Sequence, residues 1–232
     1  MTRLETTVER NYQSVCERIS AAATRAGRSA DDVKLVAVTK YAEVEWVRAL
    51  VNLGVTELGE NRPQQLQERA ELIAGPVHWH LIGHLQRNKV RRMLPTVSLI
   101  HSVDSVRLLA EIEKQASELQ LESRVLLEVN LTGEEQKHGF RADDLAAQWG
   151  DVIKARGVRI EGLMAMAAYS DNPDDARPVF KRLRELRDQL AVRSPSDMPL
   201  AQLSMGMTGD FEIAIEEGAT LVRIGSALWD GL

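Results

Sequence analysis

Eight short apolar runs recur along this chain, at residues 35–39, 55–58, 77–82, 97–100, 124–129, 158–164, 200–203 and 220–224. Runs of this length suit strands, and the lack of clean polar alternation is the mark of strands covered on both faces. Between them, apolar residues fall at steps of three or four, as in Val44, Val47, Leu50 and Val51, or Phe180, Leu183, Leu186 and Leu190. That spacing is one face of a helix. Further helices are expected over residues 63–74, 86–94, from Asp104 or Ser105 to about 119, 142–155, 174–191 and 211–217. Alternation of this kind predicts a parallel sheet covered by helices. Eight such units in 232 residues fit a compact (β/α)8 TIM-type barrel of α/β class better than an open doubly wound sheet. Ahead of them, Leu4, Val8, Tyr12, Val15, Ile19 and Ala22 predict an extra N-terminal helix that Gly27 stops. No low-complexity linker divides the chain, and residues 195–199 read as a loop, so one domain over residues 1–232 is expected.

Composition narrows the class of partner. A net charge of −5 argues against a general nucleic-acid or anionic-membrane binder. Cys16 is the only cysteine, so no intrachain disulfide can form and nothing points to an oxidising compartment. The opening ten residues carry Arg3, Glu5, Glu9 and Arg10 with no apolar run after them, and no segment reaches the ~20 apolar residues of a membrane span. The expectation is a cytoplasmic protein.

In a (β/α)8 barrel, chemistry belongs at the carboxyl ends of the strands, with phosphate commonly held by the loops after the last two. Lys40 ends the first run. It reads either as a solvated charge at the edge of the core or as an amine at the mouth of an apolar site, nucleophilic towards aldehydes. After the seventh run stands Leu203-Ser-Met-Gly-Met-Thr-Gly-Asp210, and after the eighth Arg223-Ile-Gly-Ser226. Glycine beside a hydroxyl residue exposes backbone N–H groups to an anion and adds a hydroxyl donor. Arg223, inside an apolar run, is either ion-paired at the barrel end or a fixed cation beside a ligand atom that must stay unprotonated. Asn61 after the second run is either a ligand contact or the cap of the next helix.

His78 and His80 share a strand face, and His84, His101 and His138 follow the third, fourth and fifth runs. A hydrolytic metal site could be built from such a set, but His78 and His80 open their strand where ligands belong near its end, and no carboxylate pairs with them at an obvious spacing. Single hydrogen-bonding roles are therefore expected, and no metal ligand is assigned. Arg87, Lys89, Arg91 and Arg92 form the one dense basic patch, read as a solvated helix face. The charged stretch Thr132-Gly-Glu-Glu-Gln-Lys-His-Gly139 reads as a mobile rim.

Several motifs together carry a resemblance. Ala37-Val-Thr-Lys40, Leu58-Gly-Glu-Asn61 and His80-Leu-Ile-Gly-His-Leu-Gln-Arg-Asn-Lys89 are followed in order by Val129-Asn-Leu-Thr-Gly-Glu-Glu-Gln-Lys137, Gly162-Leu-Met-Ala165, Leu203-Ser-Met-Gly-Met207 and Val222-Arg-Ile-Gly225. From about residue 30 to the C-terminus the chain resembles the pyridoxal phosphate homeostasis proteins. The resemblance implies a barrel like the N-terminal domain of alanine racemase, with pyridoxal 5′-phosphate held as a Schiff base on Lys40. It also implies that Ser204, Met205, Gly225 and Ser226 surround the phosphate, that Arg223 faces the pyridine nitrogen and that Asn61 lies near the ring. The chain departs from the family at Tyr41, at Ala167-Ala168-Tyr169, and at Thr208-Gly209, which stands where a serine-led turn is more usual.

What the resemblance implies is a cofactor-binding protein of vitamin B6 and amino-acid homeostasis, a monomer that passes the cofactor to pyridoxal-phosphate-dependent apo-enzymes. Physical chemistry argues the same way about turnover. Carbanion chemistry on this cofactor needs a protonated pyridine nitrogen, and an arginine there repels the second cation. Racemisation further needs an acid/base on each face of the substrate carbon, and Lys40 supplies one. No catalytic residue is assigned. A pyridoxal-phosphate-dependent racemase is the alternative, and a metal-dependent barrel hydrolase a more remote one.

Overall fold

The computed structural model describes residues 2–134 and 138–232. The chain opens with helix α1 (Arg3–Arg25), started by a capping box in which the Thr2 hydroxyl accepts from the Glu5 N–H and the Glu5 carboxylate accepts from the Thr2 N–H. The order is then β1 (Lys34–Val38), α2 (Val44–Asn52), β2 (Glu57–Glu60), α3 (Pro63–Leu72), β3 (His78–Leu81), α4 (Val90–Met93), β4 (Val97–Val103) and α5 (Val106–Leu119). It continues with β5 (Ser123–Asn130), β6 (Phe140–Arg141), α6 (Ala142–Val152), β7 (Val158–Met164), α7 (Arg177–Ala191), β8 (Gln202–Ser204), α8 (Phe211–Glu216) and β9 (Leu221–Ile224).

Every pairing is parallel. Strands β4, β3, β2, β1, β9, β8, β7 and β5 lie side by side in that order, and a β4–β5 pairing closes the ring. This is the expected (β/α)8 barrel. Beside it, β6 is a two-residue return that pairs with the end of β5 through Val129 and Phe140. After β9 the chain makes only a 3₁₀ turn, Ser226–Leu228, and α1 packs against α2, α8 and that turn. The N-terminal helix thus fills the place in the outer ring that a helix after the last strand would take.

Side chains alternate between the two faces of each strand. One face points to the helices: Ala37, Leu58, Ile100, Leu127, Leu163, Val222 and Ile224 join Phe180, Leu183, Leu186 and Leu190 of α7 in the main core. The other face fills the barrel, where Val36, Leu99, Leu126, Met164 and Leu221 form a separate apolar plug. At roughly 1.5–3 kcal/mol per buried aliphatic side chain, both layers are needed to offset chain entropy.

Several boundaries differ from expectation for identifiable reasons. The basic stretch after β3 is a 3₁₀ turn followed by a four-residue helix, which ends just before Pro95, a residue with no N–H to extend it. The helix expected from 174 starts as a 3₁₀ turn, Pro173–Ala176, and becomes α7 at Arg177, with Pro178 in the first turn where a missing N–H costs nothing. Strand β2 begins two residues later than expected and takes in Gly59 and Glu60. Residues 135–137 of the charged stretch lie outside the described residues.

Candidate functional site

Lys40 stands two residues past β1, half-buried at the carboxyl-end rim. The backbone around it is held by side chains from α3. Gln65 donates to the Lys40 carbonyl at 3.0 Å, and Arg69 donates to the Ala42 carbonyl at 2.6 Å. Arg69 also pairs with the buried Glu60 at 2.8 Å, and the Thr39 hydroxyl donates to the same carboxylate oxygen at 2.6 Å. Burial pushes the Glu60 carboxyl up, against the pull of Thr39, Arg69 and Lys40. The ammonium group of Lys40 sits 4.9 Å from the centre of the Tyr41 ring, and among the described residues no carboxylate lies within 4 Å of it. Its backbone is fixed, while its amine remains available.

The loops after β8 and β9 reach the same rim because β9 pairs with β1, Ala37 opposite Ile224. Gly225 lies against Val38, where a Cβ would meet the valine Cβ at 3.3 Å, and Trp229 donates from its indole to the Val38 carbonyl at 2.9 Å. The Gly225 N–H donates to the Thr208 hydroxyl at 3.3 Å. Thr208 and Ser226 together line a cavity of about 360 Å³ whose other wall is α1, with Asn11, Ser14 and Arg18. Thr208, noted in the sequence only as a departure, therefore belongs with Gly225 and Ser226. Its visible signal was a hydroxyl in a glycine-bearing loop.

Ser204 is placed differently. As the last residue of β8 it points into the barrel and is fully buried. Its hydroxyl accepts from the Arg223 guanidinium at 2.5 Å and lies 2.8 Å from His101 Nδ1. His101 Nε2 is 2.8 Å from His80 Nδ1, and His80 Nε2 is 2.6 Å from a Glu57 carboxylate oxygen. Burial pushes His80 down, and it pushes His101 well down with help from the charges of His80 and Arg223. Both rings are therefore neutral near pH 7, and the two ends of the chain dictate the tautomers. Glu57 can only accept, so His80 carries its proton on Nε2. His80 Nδ1 must then accept from His101 Nε2–H, and His101 Nδ1 must accept from the Ser204 hydroxyl. Every donor points from Arg223 towards Glu57. Burial raises the Glu57 carboxyl, but His80 and Lys34 outweigh that and hold it at about 2.

Arg223 is buried in the interior, with a second bond to the Ala165 carbonyl at 3.1 Å. Desolvation lowers its pKa to about 10, with Asp210 and Glu128 pulling the other way, so it stays charged at neutral pH. Among the described residues no carboxylate is within ion-pairing distance of it. The salt-bridge alternative for Arg223 is not what the structure shows. Nor is Asn61 a helix cap: Arg62 occupies that position, without a side-chain bond. Asn61 instead lines a cavity of about 500 Å³ with Gly83, His84, Lys89 and Arg92. Met205 is fully buried, its N–H spent on the Leu221 carbonyl. Glu128, at the end of β5, is buried; burial and the charge of Asp104 raise its carboxyl, while Arg223 and His138 lower it.

A half-buried amine thus follows the first strand, a hydroxyl-lined cavity adjoins the loops after the last two, and a buried arginine lies inside the barrel. Comparison with known proteins identifies the family. The family model described as alanine racemase, N-terminal domain, matches residues 11–231. A pyridoxal phosphate homeostasis protein of Aquifex aeolicus is 43% identical over 216 residues, covering 93% of this chain and 94% of the relative. The structure of PipY from Synechococcus elongatus with pyridoxal phosphate bound is 32% identical, with a TM-score of 0.81 over 92% of this chain and 99% of that one. Alanine racemase of Clostridium difficile shares the fold at 15% identity, with a TM-score of 0.75 over 97% of this chain and 56% of that one. The chain belongs to the pyridoxal phosphate homeostasis protein family.

Proposed function

We propose that this protein binds pyridoxal 5′-phosphate through Lys40 and serves vitamin B6 and amino-acid homeostasis by holding the cofactor without efficient turnover. The observation that carries the reading is the convergence of an unpaired Lys40 amine with the Thr208, Gly225 and Ser226 rim, brought together by the β1–β9 pairing. The names of the relatives and the cofactor in PipY support it. When bound, the cofactor supplies an electrophilic aldehyde carbon. Lys40 is the amine that bonds to it, and its backbone clamp by Gln65 and Arg69 fixes where that bond forms. Thr208 and Ser226 offer hydroxyls to the phosphate, with Gly225 providing close backbone approach, while Met205 backs the cup as buried apolar wall. Ser204 acts from behind, by fixing Arg223.

Arg223 is the group that restrains the chemistry. Kept cationic inside the barrel, it favours an unprotonated ring nitrogen and so weakens the electron sink that racemisation and decarboxylation need. The same reading makes the protein a cytoplasmic monomer that gives the cofactor to pyridoxal-phosphate-dependent apo-enzymes. No helix among the described residues is long and apolar enough to cross a membrane.

Reconstitution with pyridoxal phosphate followed by borohydride tests the assignment. A visible band that borohydride abolishes is expected, with the phosphopyridoxyl label on the peptide containing Lys40 and neither signal in Lys40→Ala. Equal retention by Lys40→Ala, or a label on another lysine, would overturn it.

A further inference from the structure

Three strand ends on the opposite arc of the rim converge on a group that the cofactor reading does not use. His84 lies three residues past β3, Asp104 directly follows β4, and His138 immediately precedes the Gly139–β6 return that pairs with β5. The return is fixed rather than loosely draped. Gly139 has φ +117° and sits against β5 so tightly that a Cβ would approach Asn130 N at 2.8 Å and Glu128 O at 3.1 Å. Only glycine meets both conditions, and its neighbour His138 is thereby set above the end of β5.

The side chains then meet. His84 Nδ1 is 3.1 Å and His138 Nδ1 3.6 Å from the same Asp104 oxygen, Oδ2, and each of the three residues offers one ligand atom within 4.8 Å of those of the other two. We propose that His84, Asp104 and His138 form a binding site for a divalent transition-metal ion at the mouth of the barrel. Bonds of about 2.0–2.2 Å in a tetrahedral shell set donor atoms roughly 3.3–3.6 Å apart, which two of the three separations already approximate. Two imidazoles and one carboxylate suit zinc, cobalt, nickel or copper, whereas magnesium and calcium take oxygen donors. Three protein ligands leave at least one position open, so the ion would exchange ligands rather than act as a closed structural centre.

The two rings stack at 4.1 Å between centroids with 15° between planes. Because an imidazole lone pair lies in the ring plane, binding requires the stack to open. Side-chain exposures of 41% for His84 and 59% for His138 leave room for both rings to turn, while Asp104, at 12%, stays as the fixed point. Coordination through Nδ1 leaves Nε2 of each ring to carry its proton. The position is chemically pointed. Glu128 feels the charges of Asp104 and His138 as well as that of Arg223, and His84 also lines the cavity that contains Asn61. An ion here would add a Lewis acid to the opposite arc of the same rim.

The site does not depend on the cofactor, so it is tested on the protein without it. Calorimetric titration with Zn²⁺, in buffer free of chelators, should show one equivalent bound per chain. Co²⁺ should give a visible ligand-field band. His84→Ala, His138→Ala and Asp104→Asn should each weaken binding by about tenfold or more and remove the cobalt band, and His78→Ala should change neither. Retention of one-equivalent binding by His84→Ala and His138→Ala would overturn the proposal, as would an equal response to Mg²⁺ or no binding at all. The two histidine variants alter exposed side chains and decide the matter even if Asp104→Asn folds poorly.

Discussion

His80 and His101 sit inside the barrel as neutral rings, and their cost is offset only because each nitrogen has a partner from Glu57 through to Arg223. Such a chain makes stability depend on pH in two windows. Both histidines are pushed down by burial, so unfolding releases them to take up protons below about pH 6.5, and stability falls as the pH drops through that range. Glu57, held at about 2, contributes stability that is complete above the ordinary glutamate range and is lost as pH falls from about 4.5 towards 2. Urea denaturation across pH should therefore show Glu57→Gln losing up to about 3 kcal/mol at pH 7 and a flatter profile below pH 4.5. An unchanged acid limb would show that the carboxylate is not what anchors the chain.

Among the elements, β7 and β8 make one very close approach. Gly162 lies opposite Gln202, and a Cβ on Gly162 would stand 1.8 Å from the Gln202 carbonyl oxygen, so no side chain fits without parting the strands. Gly162→Ala should lower stability by at least about 2 kcal/mol and disturb Ser204 two residues along β8. Gly150 is the contrasting case. It lies in α6 with nothing within 4 Å of an added Cβ, and Gly150→Ala should raise stability by roughly 0.5–1 kcal/mol. Denaturation midpoints of the two variants moving in the same direction would contradict this account of the packing. The strand was legible as an apolar run, but the need for glycine within it comes from its neighbour forty residues later.

On the scale of the whole molecule, the ring closed by β4–β5 and completed outside by α1 leaves one rim on which all the chemistry stands. On the function proposed above, restraint would come from three features together: an amine committed to the cofactor, a cationic arginine at the ring nitrogen, and no assigned second acid/base. With cofactor bound, alanine, serine and ornithine should be turned over more slowly than about 1 s⁻¹, below the usual enzyme range. Light scattering should give the mass of one chain. Steady turnover within the range of ordinary enzymes would restore the racemase alternative.

What the amino-acid order determined unaided was the architecture and, through it, which residues stand at the strand ends. Apolar runs long enough for strands, separated by helical spacing, leave few solutions other than a closed parallel barrel, and such a barrel puts strand-end residues such as Lys40, Gly225 and Ser226 on one rim. Tertiary structure alone decided which hydroxyl faces which way. Ser204 and Thr208 read alike in sequence, but the strand period of two turns Ser204 inward onto Arg223, and the loop beyond lets Thr208 reach Gly225. It also decided what the histidines do. His80 meets His101, and His84 and His138 meet at Asp104, across 20 to 34 residues of chain, because neighbouring parallel strands bring their ends together whatever the length of the helices between them.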